Sequence, residues 1–392
     1  MLRVAMLAYT YYRSDPRVRR EAEALAARGD EVEFYCLRKP GEPRREHVGG
    51  VGLRHLPLAR YRGASSALYI GSYLVFFFLA LGAISWSHLR RPYRLVHANN
   101  MPDFMVFAAL LPRLSGGRVI LDIHDTMPEI YQGKFNVTAG HPIIRILHWQ
   151  ERLSAAFAHR ILTSEHTKKD ALVEHGIARE KIEVLLNLPD PAIFKSDGRP
   201  APAKAPGEFR LVFHGTLAPR LGVDLALRAV ARLRESIPGL RLDLIGDGDQ
   251  LPALHQLARE LDIADCVEFS DGFVPVDELP PLLARADLAV IPTRDEISTR
   301  NMLPTKLVEY AALGIPALVS PTHTIRYYFD EEQVAFFEAG NEASLAREIA
   351  GLYGDPERRR KLAAGARRFF ERYRWDRHKQ VYLDLVDGLT GS

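Results

Sequence analysis

Cysteine is nearly absent from this sequence: 392 residues contain two, Cys36 and Cys266, far apart and both in strand-like runs. That usage excludes a disulfide framework, argues against a cysteine-built metal site, and fits a reducing compartment with buried thiols. Also missing is a G-x-G-x-x-G fingerprint after the strands that open the two halves, and the loop Tyr9–Asp15 has no glycine. A nicotinamide dehydrogenase is therefore disfavoured. Internal repeats, low-complexity tracts and recognisable nucleic-acid modules are absent too. Met1-Leu-Arg-Val-Ala-Met6 enters a strand directly, so no secretory signal is expected. No acidic residue occurs between Glu46 and Asp103.

What is present is ordinary in amount and uneven in placement. Hydrophobic residues make up 47% and charged residues 26%, as in a globular protein with length for two domains. Residues 1–200 carry 28 Lys and Arg against 20 Asp and Glu, whereas the remainder is net acidic. With no nucleic-acid module in view, an anionic membrane is the partner that a basic first half suits.

Strands and helices alternate along the whole chain, the pattern of parallel α/β sheets. In the first half a strand at Leu2–Ala8, a helix from Pro16 to Gly29 and a strand at Glu31–Cys36 form a βαβ beginning. Asp15 either caps that helix or lines an acceptor pocket. Ala64–Ser87 has no charged residue and is long enough to span a bilayer. The runs Val51–His55 and Leu95–Ala98 on either side read as one sheet, so we expect a helix packed on that sheet with an exposed apolar side. Arg60, Arg62, Arg90, Arg91 and Arg94 flank it, a composition suited to an interfacial element. A wholly buried core helix is the alternative.

The strand Arg118–Ile123 runs into His124-Asp-Thr-Met-Pro-Glu129. Asp122 and His124 lie two apart and so share a face at the carboxyl end of a strand, where ligands of such sheets sit. A structural hydrogen bond is the plainer role for the histidine. Tyr131–His141 lacks clear periodicity and reads as a loop, and a helix follows from about Ile143 to Ala158. Asp197–Gly207, rich in proline and glycine, reads as a linker. A new alternation starts at Phe209–Phe213 and continues through a loop with Gly215 and Arg220 into a helix near Val223. Asp247 and Asp249 form an Asp-x-Asp pair, which we read as a turn and not as a metal site.

The most informative stretch is Asn301–Pro316, with Ala317–Ser320 behind it. Pro304 suits a first helical turn, Leu307, Val308, Ala311 and Ala312 repeat as one buried face, and Gly314 suits the helix end. Lys306 and Glu309 then share a face near the helix start, where N–H groups and a cation favour phosphate and a carboxylate can hold a diol. An ordinary amphipathic helix with one surface ion pair fits the same residues.

Lys306-Leu-Val-Glu-Tyr-Ala-Ala-Leu-Gly-Ile-Pro316 resembles the nucleotide-sugar site of retaining glycosyltransferases of family 4, which have the GT-B fold. Their motif has two glutamates separated by seven residues. Here the second is Glu309, and the first position holds Asn301. Asp15-Pro-Arg-Val18, the Asp-x-His at Asp122–His124 and Asn187 resemble other stretches of the family. A further departure is Leu221 just before Gly222, where many relatives have lysine.

The resemblance implies an α/β fold of two Rossmann-like domains facing each other across a cleft. Residues 1–197 would bind the acceptor and residues 208–374 the nucleotide sugar, and 375–392 would form a helix crossing back to the first domain. It implies transfer of a sugar from a nucleotide diphosphate to a glycan or polyprenyl-linked acceptor, with retention, in cell-surface polysaccharide synthesis. No cofactor and no metal are expected beyond the nucleotide-sugar donor. Catalytic roles fall to His124, Lys306 and Arg220. Donor contacts fall to Gly215, Arg220, Gly272, Phe273, Asn301, Lys306 and Glu309, and acceptor-side contacts to Asp15 and Asp122. Asn301 is read as a donor-sugar ligand, with a helix N-cap as the competing role. The expected location is cytoplasmic, peripheral on the inner face of the membrane. A nucleotide-sugar epimerase or hydrolase and a catalytically silent scaffold are the alternatives.

Overall fold

A computed structural model describes residues 1–61, 63, 65–194, 207–270 and 272–391. The linker expected at Asp197–Gly207 lies outside the described residues except for Gly207. The chain divides into two compact units, Met1–Asn187 with Asp376–Ser392, and Leu188–Trp375.

The first unit is built on β1 (Arg3–Leu7), β2 (Glu31–Leu37), β3 (Arg45–Val48), β4 (Val51–Leu56), β5 (Leu95–Asn99), β6 (Arg118–Asp122), β7 (Arg160–Thr163) and β8 (Ile182–Val184). They form one sheet in the order β3-β4-β2-β1-β5-β6-β7-β8, parallel throughout except for the β3–β4 pair. β1 reads Arg-Val-Ala-Met-Leu, apolar and buried on both faces, as expected of a central parallel strand covered by helices. The helices are α1 (Pro16–Ala27), α2 (Ser66–Arg90), α3 (Leu110–Leu114), α4 (Met127–Phe135), α5 (Pro142–Phe157) and α6 (His166–Glu174).

Two expectations change here. Of the segment read as a loop, Tyr131–His141, residues 136–141 are non-helical, but the first part is helical, because α4 has Pro128 in its first turn and continues to Phe135. Its short length hid the helical period. Cys266 stands in the turn before a strand rather than within it, and only Cys36 is fully buried.

α2 is packed on the sheet through Tyr73, Phe76, Ala80 and Ile84, one stripe at helical spacing. On its other sides Leu68, Ile70, Phe78, Trp86 and Leu89 are exposed. A wholly buried helix is thereby excluded. The helix is long and apolar enough to cross a bilayer, yet the strands on both sides of it, β4 and β5, belong to one sheet. Its flanking arginines are not all free: Arg91 pairs with Glu31, and Arg90 stacks 4.3 Å over Trp86.

The second unit has β9 (Phe209–His214), β10 (Leu240–Ile245), β11 (Val267–Phe269), β12 (Leu288–Ile291), β13 (Ala317–Val319) and β14 (Ala335–Phe336). All pair in parallel, in the order β11-β10-β9-β12-β13-β14. Around them lie α7 (Val223–Leu233), α8 (Leu251–Glu260), α9 (Leu279–Leu283), α10 (Ile297–Arg300), α11 (Thr305–Leu313), α12 (His323–Tyr328), α13 (Glu342–Gly354) and α14 (Pro356–Tyr373). One core of Leu, Val, Ile and Phe joins β9, β10, α7 and α13.

The last helix, α15 (Trp375–Thr390), belongs with the first unit. Tyr382 on it is fully buried, and its hydroxyl bonds to His97 Nδ1 on β5 at 2.8 Å. His378 Nε2 accepts from the Leu186 backbone N–H at 3.0 Å, and Arg28 pairs with Asp387 at 2.5 Å.

Candidate functional site

In the second unit Gly215, Lys306 and Glu309 come together where β9 ends and α11 begins, and no hydrogen bond or ion pair ties Asn301, Gly272 or Phe273 to them among the described residues. Central strands buried on both faces leave their carboxyl ends free for ligands, which is why chemistry collects there. Gly215 follows β9 with φ +101°, and a Cβ there would only touch the Lys306 side chain, 3.5 Å from its Nζ, so the backbone conformation is what favours glycine. Gly246, at the end of the neighbouring strand, has φ +146°, and a Cβ on it would overlap the Gly215 carbonyl oxygen. Both turns therefore require glycine, and they bring two strand ends close together.

Lys306 lies in the first turn of α11, is 8% exposed, and stands 3.7 Å over the Phe213 ring. Its Nζ is buried and has no hydrogen-bond partner. Burial pushes the ammonium down to about 7; Glu309 opposes that shift and Arg220 adds to it. A lysine this starved of hydrogen bonds is costly unless something anionic reaches it. Arg220, one turn before α7, is exposed, and its backbone oxygen accepts from the Arg294 N–H at 2.9 Å. Leu221 beside it is buried in the core, so the lysine of many relatives would have to abandon that packing here.

Glu309, read from sequence as a diol acceptor or half of a surface ion pair, faces a histidine instead of Lys306. The His214 backbone N–H donates to the Tyr310 hydroxyl at 3.1 Å, and that hydroxyl donates to His214 Nδ1 at 2.7 Å. Nε2–H is then left to donate to Glu309 Oε2 at 2.6 Å. One oxygen of Glu309 is thus committed and the carboxylate is held in a single orientation. His214 and Tyr310 were not anticipated. A strand-terminal histidine gives no sign in sequence of the helix that it faces.

Asn301 ends α10 and does not begin α11, whose N-cap is Pro304. The N-cap role for Asn301 is corrected accordingly: three residues separate it from that helix, and its backbone N–H bonds back to Thr299. Gly272 follows a stretch after β11 with φ +153°, and Phe273 is 75% exposed.

In the first unit Asp15 caps α1, its side chain accepting from the Val18 N–H at 3.5 Å. Asp122, buried at the end of β6, pairs with the Arg17 guanidinium. His124 is part-buried, with Nδ1 at 3.8 Å from Asp122 Oδ2 and without a hydrogen bond. Burial holds its imidazole well below the usual range, reinforced by Arg17 and Lys168. Asn100 shapes this turn: its side-chain oxygen accepts from the backbone N–H of His124 and Asp125, and its amide donates to Asp103 and to the Asp125 carbonyl. Lys168 donates to the His124 carbonyl. Arg17, Asn100 and Lys168 were missed, although Arg17 lies inside the Asp-Pro-Arg-Val stretch.

Residues 195–369 match the family described as Glycosyl transferases group 1, and residues 14–187 match the Glycosyl transferase 4-like domain. A curated relative, D-inositol 3-phosphate glycosyltransferase of Thermomonospora curvata, is 27% identical over 94% of this chain and 88% of its own length. Sucrose-phosphate synthase from Thermosynechococcus elongatus superposes with a TM-score of 0.80 at 17% identity, over all of both chains. HepE of Anabaena in complex with UDP superposes with a TM-score of 0.71 at 14% identity, over 99% of this chain and 100% of that one.

Proposed function

Because this chain belongs to the group 1 glycosyltransferases and has their GT-B fold, we propose that its second unit holds the donor diphosphate on Lys306. The chain is a nucleotide-sugar-dependent glycosyltransferase. The single observation that carries the finer reading is the buried Lys306 Nζ with no partner, beside the glycine turn at Gly215. A diphosphate gives that ammonium the anion it lacks, and Arg220 adds a second charge. Fixed cations near a departing diphosphate stabilise charge as it develops, without reorganising in the transition state. Glu309, oriented by His214, accepts from the ribose diol, while Gly272 and Phe273 flank the base. Asn301 contacts the donor sugar.

His124, Asp15 and Asp122 serve the acceptor side from the first unit. The sugar is transferred with retention, to a glycan or polyprenyl-linked acceptor of cell-surface polysaccharide synthesis. The reaction draws on no divalent metal. The exposed apolar side of α2, with Arg90 stacked at its end, supports peripheral attachment to an anionic membrane from the cytoplasmic side.

Calorimetric binding of nucleoside diphosphates and donor-dependent turnover, without added magnesium or manganese, test this. Lys306→Ala and Arg220→Ala each lose a charge-assisted contact worth roughly 1.5–3 kcal/mol of diphosphate affinity. Glu309→Ala weakens a nucleoside diphosphate but not pyrophosphate, and Asn301→Ala lowers kcat/KM by about tenfold with nucleotide binding retained. Wild-type affinity in both cation variants overturns the site, and turnover that appears only with an added divalent ion overturns the metal-free reaction.

A further inference from the structure

A group of titratable residues in the first unit, unrelated to the donor reading, is built around His175 at the end of α6. His175 Nδ1 lies 2.8 Å from Glu151 Oε1, and its Nε2 lies 3.0 Å from Glu129 Oε1. His148, three residues before Glu151 on α5, stacks edge-on against His175 with ring centres 4.3 Å apart. One ligand atom each from His148, Glu151 and His175 lies within 4.8 Å of the other two. Glu151 is fully buried, and its Oε2 has no hydrogen-bond partner; nor has the buried His148 Nδ1.

We propose that His148, Glu151 and His175 bind one zinc ion, with Glu129 orienting His175 from behind. Two imidazoles and a carboxylate are a donor set that zinc accepts, with a water completing four ligands. Tetrahedral bonds of about 2.1 Å put ligand atoms about 3.4 Å apart. His148 Nδ1 is 3.9 Å and His175 Nδ1 2.8 Å from Glu151 Oε1, either side of that spacing, so the side chains must rotate to bring ligand atoms now up to 4.8 Å apart onto one ion. A histidine that ligates metal ordinarily donates its other N–H to a carboxylate, and Glu129 stands where His175 Nε2–H needs one. With one buried and one half-buried carboxylate on His175, a divalent cation also balances charge; on binding it displaces the proton at His175 Nδ1 to solvent. The ion ties α5 to the end of α6, and Glu129 adds α4 through its contact with His175. A second group among the described residues, the buried Glu21, His97 and Asp122, is different: the Arg17 guanidinium already occupies Asp122.

The full chain, stripped with chelator, freed of any affinity tag and re-equilibrated with zinc, is analysed for bound metal and by calorimetry. Wild type should retain one zinc per chain. His148→Ala should weaken binding at least tenfold, and Glu129→Gln by about ten- to a hundredfold. His148 is partly exposed, so circular dichroism of the metal-free variant checks that it folds. Cobalt-loaded wild type should show the strong visible absorption of a four-coordinate ion, absent in His148→Ala. Zinc uptake equal in wild type and His148→Ala, or none in wild type, overturns the site and leaves a histidinium held by two carboxylates. Neither outcome bears on nucleotide binding at Lys306.

Discussion

Lys306 links the chemistry of the site to pH. In the unfolded chain a lysine titrates near its ordinary 10.5, whereas in the folded protein burial brings Lys306 down to about 7. Between these values the unfolded chain holds a proton that the folded protein lacks, so this residue makes stability rise with pH from about 7 towards 10.5. Below pH 7 both states are charged and the full cost of burying the ammonium remains. The melting-temperature advantage of Lys306→Met over wild type should therefore be largest below pH 7 and shrink as pH rises. A diphosphate favours the charged form, so nucleotide binding above pH 7 takes up a proton and weakens by at most about tenfold per pH unit. Calorimetry at pH 8 in two buffers of different ionisation heat measures that uptake, which should vanish in Lys306→Met. The spacing of Lys306 and Glu309 was legible in sequence. Their unequal states were not, because the phenyl ring of Phe213 under one and the imidazole of His214 against the other come from a strand far away in the chain.

Among the elements, α2 shows how much of a helix periodicity can miss. Its charge-free stretch is apolar on every side, so no hydrophobic stripe marked the face that meets the sheet. The structure divides it: Phe76 is fully buried, and Phe78, two residues on, is 64% exposed. Phe76→Ala should cost about 3–5 kcal/mol in urea unfolding through the cavity it leaves. Phe78→Ser with Trp86→Ser should change stability by only about 0.5 kcal/mol each, as surface changes do. That pair should nevertheless lose sedimentation with anionic vesicles, and the wild-type interaction should be partly released by salt. Sedimentation that ignores the double substitution would remove α2 from the membrane contact. The misread loop at α4 has a related cause. A helix of nine residues with mixed composition presents too few turns for a period to emerge.

For the whole molecule, the consequential connection is α15 returning to the unit from which the chain began. Its Tyr382 hydroxyl is the partner of His97 Nδ1, and His97 is fully buried on β5. Tyr382→Phe should leave that imidazole nitrogen unsatisfied and cost about 1–3 kcal/mol in denaturant unfolding. Because Tyr382 packs in the first unit, the transition of that unit should shift while nucleotide binding to the second unit persists. Loss of binding together with stability would mean that the two units do not unfold separately.

The sequence by itself determined the alternation of strands and helices, the two sheets, the buried face of α11 and the motif that carries the family resemblance. Those properties depend on local period, on turn residues such as Gly215 and Gly314, and on apolar runs that can only be central parallel strands. Only the tertiary structure decided that Asp122 is held by Arg17, that Glu309 is oriented by His214, and that Asn301 closes one helix instead of opening the next. It also assembled Glu129, Glu151 and His175 from three helices. Such pairings join residues distant in the chain, and the burial that makes them strong exists only once the sheets are covered.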